Sequence, residues 1–474
     1  MTLDPNNWKQ FRATAHKMLD ASINKLKNAK EGRVWTPLSE HQKSIIHSDV
    51  PVEGTPTSEM QSIMEGFLPY GVGNTHPRFF GWVNGAGAPS GLLADIATCG
   101  MNINAGGRNH IAPVVECEVV RWSAEIMGMP KGTSGLVVTG TSMATIVALK
   151  VARDTAKRAL GKQPGDQVSL VGYTGAQTHS CVERAFDLLG LGVRNLRKIP
   201  CNDDFEIDLD ALKTAIKKDR ADGLTPFVII GTAGAVNMGA IDDLNGLADI
   251  AESEDLWFHV DGAFGATAVL SKAVKHRLDG LSRVDSLAFD FHKWFQVNYD
   301  AGCVLIKDES AHRASFAARP AYLRSSERGL AGGAFWAVDY GPELSRGFRA
   351  LKVWAHIKEH GIKALGKVVD RNIEQAQYLK SQIEAAPELE LLAPVPLNIC
   401  CFRYVPKHLE TNELNSEIAI QLQLQGIAVP STTTIKEKLA IRTNLTNHRT
   451  RKKDLDILVE YVVKIGAELD QPDA

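Results

Sequence analysis

The sequence predicts an α/β protein built on a mainly parallel sheet, and three observations predict it. Short apolar runs bounded by Gly, Asp or Thr recur as "GLVVTG", "QVSLVGY", "TPFVIIGTAG", "LWFHVDG", "VDSLAFDF" and "AGCVLIKD", the pattern of strands buried on both faces. The segments between them are long enough to return as crossover helices. A chain of 474 residues also exceeds what one hydrophobic core usually serves, so more than one substructure is expected.

In chain order, residues 1–75 read as an N-terminal helical arm. Its amphipathic helices lie around Trp8 to Lys27 and Ser58 to Phe67, joined by a Pro- and Gly-bearing stretch from Trp35 to Pro56. Such an arm buries little core of its own and is expected to pack on something larger, a second subunit included. Residues 76–350 carry the strand and helix alternation and form the large domain, with ligands expected at the carboxyl ends of its strands. Residues 351–474 complete a long helical passage and lead into a small C-terminal α+β domain. That domain has strands near "LELLAPVPLNICCFRY", a helix over "NELNSEIAIQLQLQG" stopping at Gly426, more strand, and a last helix to about Ile465.

A net charge of -2 makes no electrostatic case for nucleic acid or an anionic membrane surface, so the expected partner is a small molecule or another copy of the chain. Seven cysteines (99, 117, 181, 201, 303, 400 and 401) are an odd number, mostly within apolar runs, which points to reduced thiols in a cytoplasmic protein. They offer no CxxC pair, and no metal site is expected. "TLDPNNWKQF" after Met1 has neither a basic n-region nor an apolar h-region, and no run reaches the ~18 apolar residues of a spanning helix. A soluble, non-exported protein is expected.

Three positions carry candidate chemistry. In "LVVTGTSMATIVAL" a strand turns tightly into a helix at Gly140, Thr141 and Ser142; the free N–H groups and positive dipole end there form either a phosphate cradle or a plain helix cap. The turn lacks both GxxxxGK[ST] and GxGxxG, which argues against nucleotide triphosphates and NAD. In "LWFHVDGAFGA" Asp261 ends an apolar strand, as a cap, an ion-pair member or a partner for a protonated ring nitrogen. In "AFDFHKWFQV" Lys293 sits among Phe289, Phe291, Trp294 and Phe295. An ammonium there must be exposed, paired or chemically altered, and desolvation is expected to lower its pKa toward the neutral amine that attacks aldehydes. A cradle, a strand-end carboxylate and a strand-end lysine together match the three handles of pyridoxal 5'-phosphate.

"HVDGAFGA" followed by "DFHKWFQVNYDAGCVL", supported by "GTSMATIVAL", "THSCVERA" and "GTAGAVNMGAIDDL", resembles the group II pyridoxal-phosphate-dependent decarboxylases, the family of aromatic-L-amino-acid, histidine and glutamate decarboxylases. The resemblance runs from "NTHPRFFGWV" to "RTNLTNHRT" and is closest to bacterial members. It implies the fold type I architecture of pyridoxal-phosphate-dependent transferases, with a mainly parallel seven-stranded sheet. It further implies that Lys293 forms the Schiff base, that Asp261 pairs with the pyridine nitrogen, and that Ala263 packs beneath the ring with His179 stacked above. Thr141 and Ser142 would hold the phosphate with His292, Thr232 would join the cofactor contacts, and Ser345 in "ELSRGFRALKVW" would reach the phosphate from a second subunit of a homodimer.

The implied reaction is decarboxylation of an L-amino acid to an amine and CO2. Tyr322 in "ARPAYLRSSERGLAGG" stands where the family's tyrosine returns a proton to the former α-carbon, and where related aldehyde synthases carry phenylalanine. Phe291, Ala235, Gly262 and Phe264 depart from the family pattern without removing a catalytic group. The segments "HPRFFGWVNGAGAPSG" and "NAGGRNHIAP" resemble those that build the side-chain pocket, the second crossing from the partner. Phe80, Trp82, Asn84 and His110 suit an aromatic side chain, whereas Arg78 and Arg108 would receive an acidic one. Competing expectations are an aldehyde synthase or aminotransferase of the same fold, and a catalytically silent binding protein, from which loss of the lysine or the aspartate would be expected.

Overall fold

The strands of the larger sheet are β1 (Ser134–Val138), β2 (Leu170–Gly175), β3 (Leu196–Ile199), β4 (Thr225–Thr232), β5 (Trp257–Asp261), β6 (Ser286–Asp290) and β7 (Gly302–Ile306). All but β3 grow from the apolar runs. β3 lies at the sheet edge with its two central residues partly exposed, so no run marks it. In this computed structural model, which describes residues 2–47, 49–317, 326 and 328–471, the order is β1-β7-β6-β5-β4-β2-β3. β2, β3, β4, β5 and β6 pair in parallel, and β7 runs antiparallel to both β1 and β6. A second sheet of β8 (Leu389–Leu391), β9 (Ile399–Tyr404), β10 (Ser431–Ile435) and β11 (Lys438–Asn444) has the order β10-β11-β9-β8.

The chain divides into two compact units. The smaller comprises Met1–Trp82, Tyr378–Leu392 and Cys401–Ala474, and the larger Val83–Gln377 and Ala393–Cys400. In the smaller unit the arm packs on the C-terminal part of its own chain: Val34 joins Phe79 and Val429 in one apolar cluster, and its N–H bonds to the Gly426 carbonyl at 3.0 Å. The helix Trp8–Lys27, capped by Asn7, buries only Thr14. The Pro- and Gly-bearing stretch from Trp35 to Pro56 holds a short helix, Glu40–Ile46, which the Ser39 hydroxyl caps through Gln42 N–H at 3.2 Å.

In the larger unit, the helix Thr141–Ala159 is the central prop of the sheet. Ala144, Val147, Ala148 and Val151, spaced for one helical face, pack on Leu136, Val138, Ala288, Val304 and Ile306. Leu149 and Ala152 face a second cluster with Leu170, Val182, Phe186 and Val228. Each fully buried aliphatic chain contributes roughly 1.5–3 kcal/mol, so burial on two sides fixes where this helix begins. The long helix Arg349–Ala385 is broken at Gly361, whose φ of 72° and ψ of 153° are not helical. Among the described residues no helix is long and apolar enough to cross a membrane.

Candidate active site

Strand geometry brings the three predicted positions to one end of the larger sheet. β5 ends at Asp261, whose register partner on β4 is Thr232, and β6 ends at Asp290, three residues before Lys293. The aromatic neighbours of Lys293 turn away into the core: Phe289, Phe291, Trp294 and Phe295 are each 1% exposed, with Phe291 edge-on to Phe289 at 4.9 Å and to Phe295 at 5.4 Å. The lysine side chain keeps 22% exposure, and Nζ meets Asp290 Oδ2 at 2.8 Å. Burial pushes its pKa down, but the charge and hydrogen bond of Asp290, with the charge of Asp261 behind, outweigh burial and leave it raised. This corrects the expectation of a neutral, desolvated amine. The carboxylate responsible, Asp290, was not singled out by sequence, although its i, i+3 spacing from Lys293 was visible.

Asp261 is buried and held by two donors. Its Oδ1 accepts from Ala263 N–H at 3.0 Å and its Oδ2 from the Cys181 thiol at 3.5 Å. Burial, and then the Asp261 charge, push the Cys181 thiol up, which keeps it protonated as a donor. His179 is exposed, and its Nδ1 accepts from Cys181 N–H at 3.1 Å; His179, Cys181 and Asp261 thus form one linked set. Ala263 also bonds across to β6, its carbonyl accepting from Asp290 N–H at 3.0 Å. Thr232 is buried beside Asp261, and its N–H donates to Asp242 at 2.7 Å.

Gly140, the N-cap residue, offers no side chain to cap the helix start. Thr141 N–H donates to Asp290 Oδ1 at 2.7 Å, while the buried Thr141 Oγ1 has no partner among the described residues; Ser142 beside it is exposed. Two glycines allow β7 to pass this close: a Cβ on Gly302 would lie 2.5 Å from Gly140 Cα and 2.6 Å from Asp290 Oδ1. His292 is buried, accepts from Ala301 N–H through Nδ1 at 3.1 Å, and has Nε2 3.7 Å from Asp290 Oδ2. Burial lowers its pKa, with Asp290 opposing and Lys293 reinforcing. Its ring lies on Tyr299 at 4.3 Å, and the Tyr299 hydroxyl donates to Asn84 Oδ1 at 2.5 Å, which ties Asn84 to this end of the sheet.

His110 and Ser345 share a cavity of about 460 Å³ in the larger unit with Asn104, Arg108, Trp336 and Leu344. There His110 caps the helix Ile111–Ile126 through Ala112 N–H at 3.3 Å, and its other ring nitrogen donates to the Gly107 carbonyl at 2.9 Å. Phe80 and Trp82 belong to the smaller unit, Phe80 1% exposed and Trp82 55%. Tyr322 lies outside the described residues.

The side chains gathered at the sheet end fit pyridoxal phosphate on their own chemistry. A partnerless buried hydroxyl at a helix N-terminus suits an anionic oxygen. A buried carboxylate held by two donors suits a protonated ring nitrogen, and Lys293 supplies an amine for an aldehyde. Residues 39–405 match the model of the pyridoxal-dependent decarboxylase conserved domain. Aromatic-L-amino-acid decarboxylase of Bacillus atrophaeus is 34% identical over 97% of this chain and 95% of its own. Tryptophan decarboxylase 2 of Oryza sativa subsp. japonica is 27% identical over 96% of this chain and 94% of its own. The crystal structure of Oryza sativa TDC with PLP and tryptamine superposes with a TM-score of 0.91 at 23% identity, covering 99% of this chain and all of that one, so the fold is type I. The chain therefore belongs to the pyridoxal-dependent decarboxylases, enzymes that use pyridoxal 5'-phosphate to remove CO2 from amino acids.

Proposed function

We propose that the substrate is an aromatic L-amino acid and that Lys293, Asp261 and Thr141 are the amine, the ring-nitrogen partner and a phosphate ligand of the cofactor. When bound, the cofactor supplies an aldehyde for the amine and a protonated ring that takes up the electron pair left by departing CO2. Asp261, oriented from both sides by Ala263 N–H and the Cys181 thiol, keeps a proton on that ring nitrogen. Thr141 Oγ1 and the helix terminus behind it hold the phosphate, with Ser142 and His292 alongside. Thr232 and Ala263 line the cofactor, His179 stacks on it, and Tyr322 returns the proton to the former α-carbon.

The observation that carries the aromatic preference over an acidic one is the state of the two arginines. Arg78 Nε donates to the Ile427 carbonyl at 2.6 Å, with its guanidinium 3.9 Å from Asp454, and the Arg108 guanidinium lies 5.6 Å over the Trp336 ring. Both head groups are already engaged. On the larger unit Asn84 and His110 then meet the side chain, with His110 coming from the partner subunit, as does Ser345 at the phosphate.

A cytoplasmic homodimer completes this reading. Apolar side chains left at the surface support it: Trp8 at 62%, Val50 at 88% and Val52 at 94% in the arm, and Leu93 at 68% and Val114 at 64% in the larger unit. An odd number of cysteines, mostly within apolar runs, supports a reducing compartment. The test is to give the holoenzyme each of the twenty amino acids, with ornithine, diaminobutyrate and cysteine sulfinate, and to measure CO2 and amine. Tryptophan, tyrosine or phenylalanine should have the highest kcat/KM; glutamate, aspartate or cysteine sulfinate leading would overturn the assignment.

A further inference from the structure

One carboxylate in the larger unit holds two groups that the cofactor needs. Asp290, 2% exposed at the end of β6, accepts from Thr141 N–H at the helix start through Oδ1 at 2.7 Å and from Lys293 Nζ through Oδ2 at 2.8 Å. We propose that Asp290 is a positioning residue that keeps Lys293 as a paired ammonium and serves as acceptor of the proton this lysine loses when it condenses with the cofactor, so that Asp290 sets the pH at which the amine becomes reactive.

The groups facing Lys293 leave Asp290 in command of its charge. Asp261 on β5 is a second, more remote anion, Cys181 on the helix Cys181–Leu188 is a protonated thiol, and His292 next in the chain is pushed toward its neutral form by burial. An ammonium has no lone pair, so condensation begins with breakage of one N–H bond. Asp290 Oδ2 lies within hydrogen-bond reach to form the new O–H bond. The pair passes from one positive and one negative charge to none. The neutral amine can then condense with an aldehyde, a C–N bond replacing the C–O bond while its two remaining N–H hydrogens leave with the aldehyde oxygen as water. A neutral Asp290 no longer sets a negative charge against the helix N-terminus where an anion binds.

The inference rests on Lys293 being the cofactor-bearing amine, and its test leaves the cofactor out so that the two readings fail separately. Full-length apoprotein, parent and Asp290→Asn, is trace-labelled with acetic anhydride from pH 6.5 to 11, and acetylation at Lys293 is measured by peptide mass mapping against a free amine standard. The variant should label about tenfold faster or more near neutral pH, equivalent to at least one unit of pKa, with the ratio falling toward one at high pH. Superimposable profiles would overturn the proposal. If the variant does not fold, the parent decides: a Lys293 midpoint at or above the ordinary lysine value of about 10.4 supports the pairing and one below it refutes it. Borohydride reduction of the holoenzyme independently maps the cofactor-bearing lysine; a pyridoxyl group elsewhere would reject the role of Lys293 and leave the labelling result standing.

Discussion

Replacing Arg346 with methionine tests how far the cavity that holds His110 and Ser345 depends on one buried ion pair. Arg346 grips Glu116 with two parallel hydrogen bonds of 2.8 and 2.7 Å, the side chains being 2% and 3% exposed. It also donates to the carbonyls of Ala105 and Val137, while Glu116 accepts from Val137 N–H at 2.9 Å. Glu116 lies on the helix that His110 caps, and Arg346 follows Ser345 in sequence, so the pair sets the spacing of both walls. Removing one partner leaves a buried carboxylate without its counter-ion, a loss of about 3–5 kcal/mol. With an unfolding entropy near 2.1 cal/mol/K per residue, 474 residues give about 1 kcal/mol/K, and Tm should fall by about 3–5 °C. Adding Glu116→Leu should recover a good part of that loss, because the stranded charge is gone. Calorimetric unfolding of parent, single and double variants at one pH, protein concentration and cofactor concentration measures it. A single variant within 1 °C of the parent, or a double variant worse than the single, would refute the reasoning.

Gly302→Ala should lower cofactor content, since its methyl would meet Gly140 Cα at 2.5 Å and force the helix start away from β7; absorbance near 420 nm per subunit reads the loss, and full occupancy would show that the close approach is dispensable. Tyr322→Phe should suppress amine release while CO2 release persists, as seen by parallel assays of both products. Acid should destabilise the folded chain through His312, a buried neutral ring that accepts from the Ser134 hydroxyl through Nδ1 at 2.9 Å and donates to the Tyr340 carbonyl through Nε2 at 2.7 Å. Its pKa is lowered by burial to about 4, below the unfolded value of 6.5, so the unfolded chain binds the extra proton and stability falls as pH drops from 6.5 toward 4, by about 3 kcal/mol in all. Asp242, pushed up by burial to about 6, acts in the opposite sense over part of that range, so the measurement is the difference in Tm against pH between parent and His312→Gln. A difference that does not change with pH would reject it.

The parts of the fold and site legible in the sequence are those encoded by neighbours along the chain. Apolar runs locate six strands, and Thr141, Asp261 and Lys293 were found because each stands where such a run, or the turn after it, ends. β3 was missed in the runs because an edge strand half in solvent has no continuous apolar stretch to show. Part of the site's bonding is written in pairs that are remote in sequence, Asp290 reaching Thr141 across 149 positions and Cys181 reaching Asp261 across 80, whereas Asp290 and Lys293 are only three residues apart and spacing alone does not show that they meet. The aromatic bulk around Lys293 dominates that stretch, and from it alone desolvation and a lowered pKa follow. The fold inverts that conclusion by sending the rings inward and leaving the amine against Asp290. His110 illustrates the same limit, since its two ring nitrogens are committed to capping a helix and holding the Gly107 carbonyl, which leaves the face of the ring for a substrate. The type of each side chain and the end of the strand it occupies are local information. Its charge belongs to partners that only the folded chain supplies, so predictions of reactivity drawn from a motif alone carry the correct residue with an unassigned protonation state.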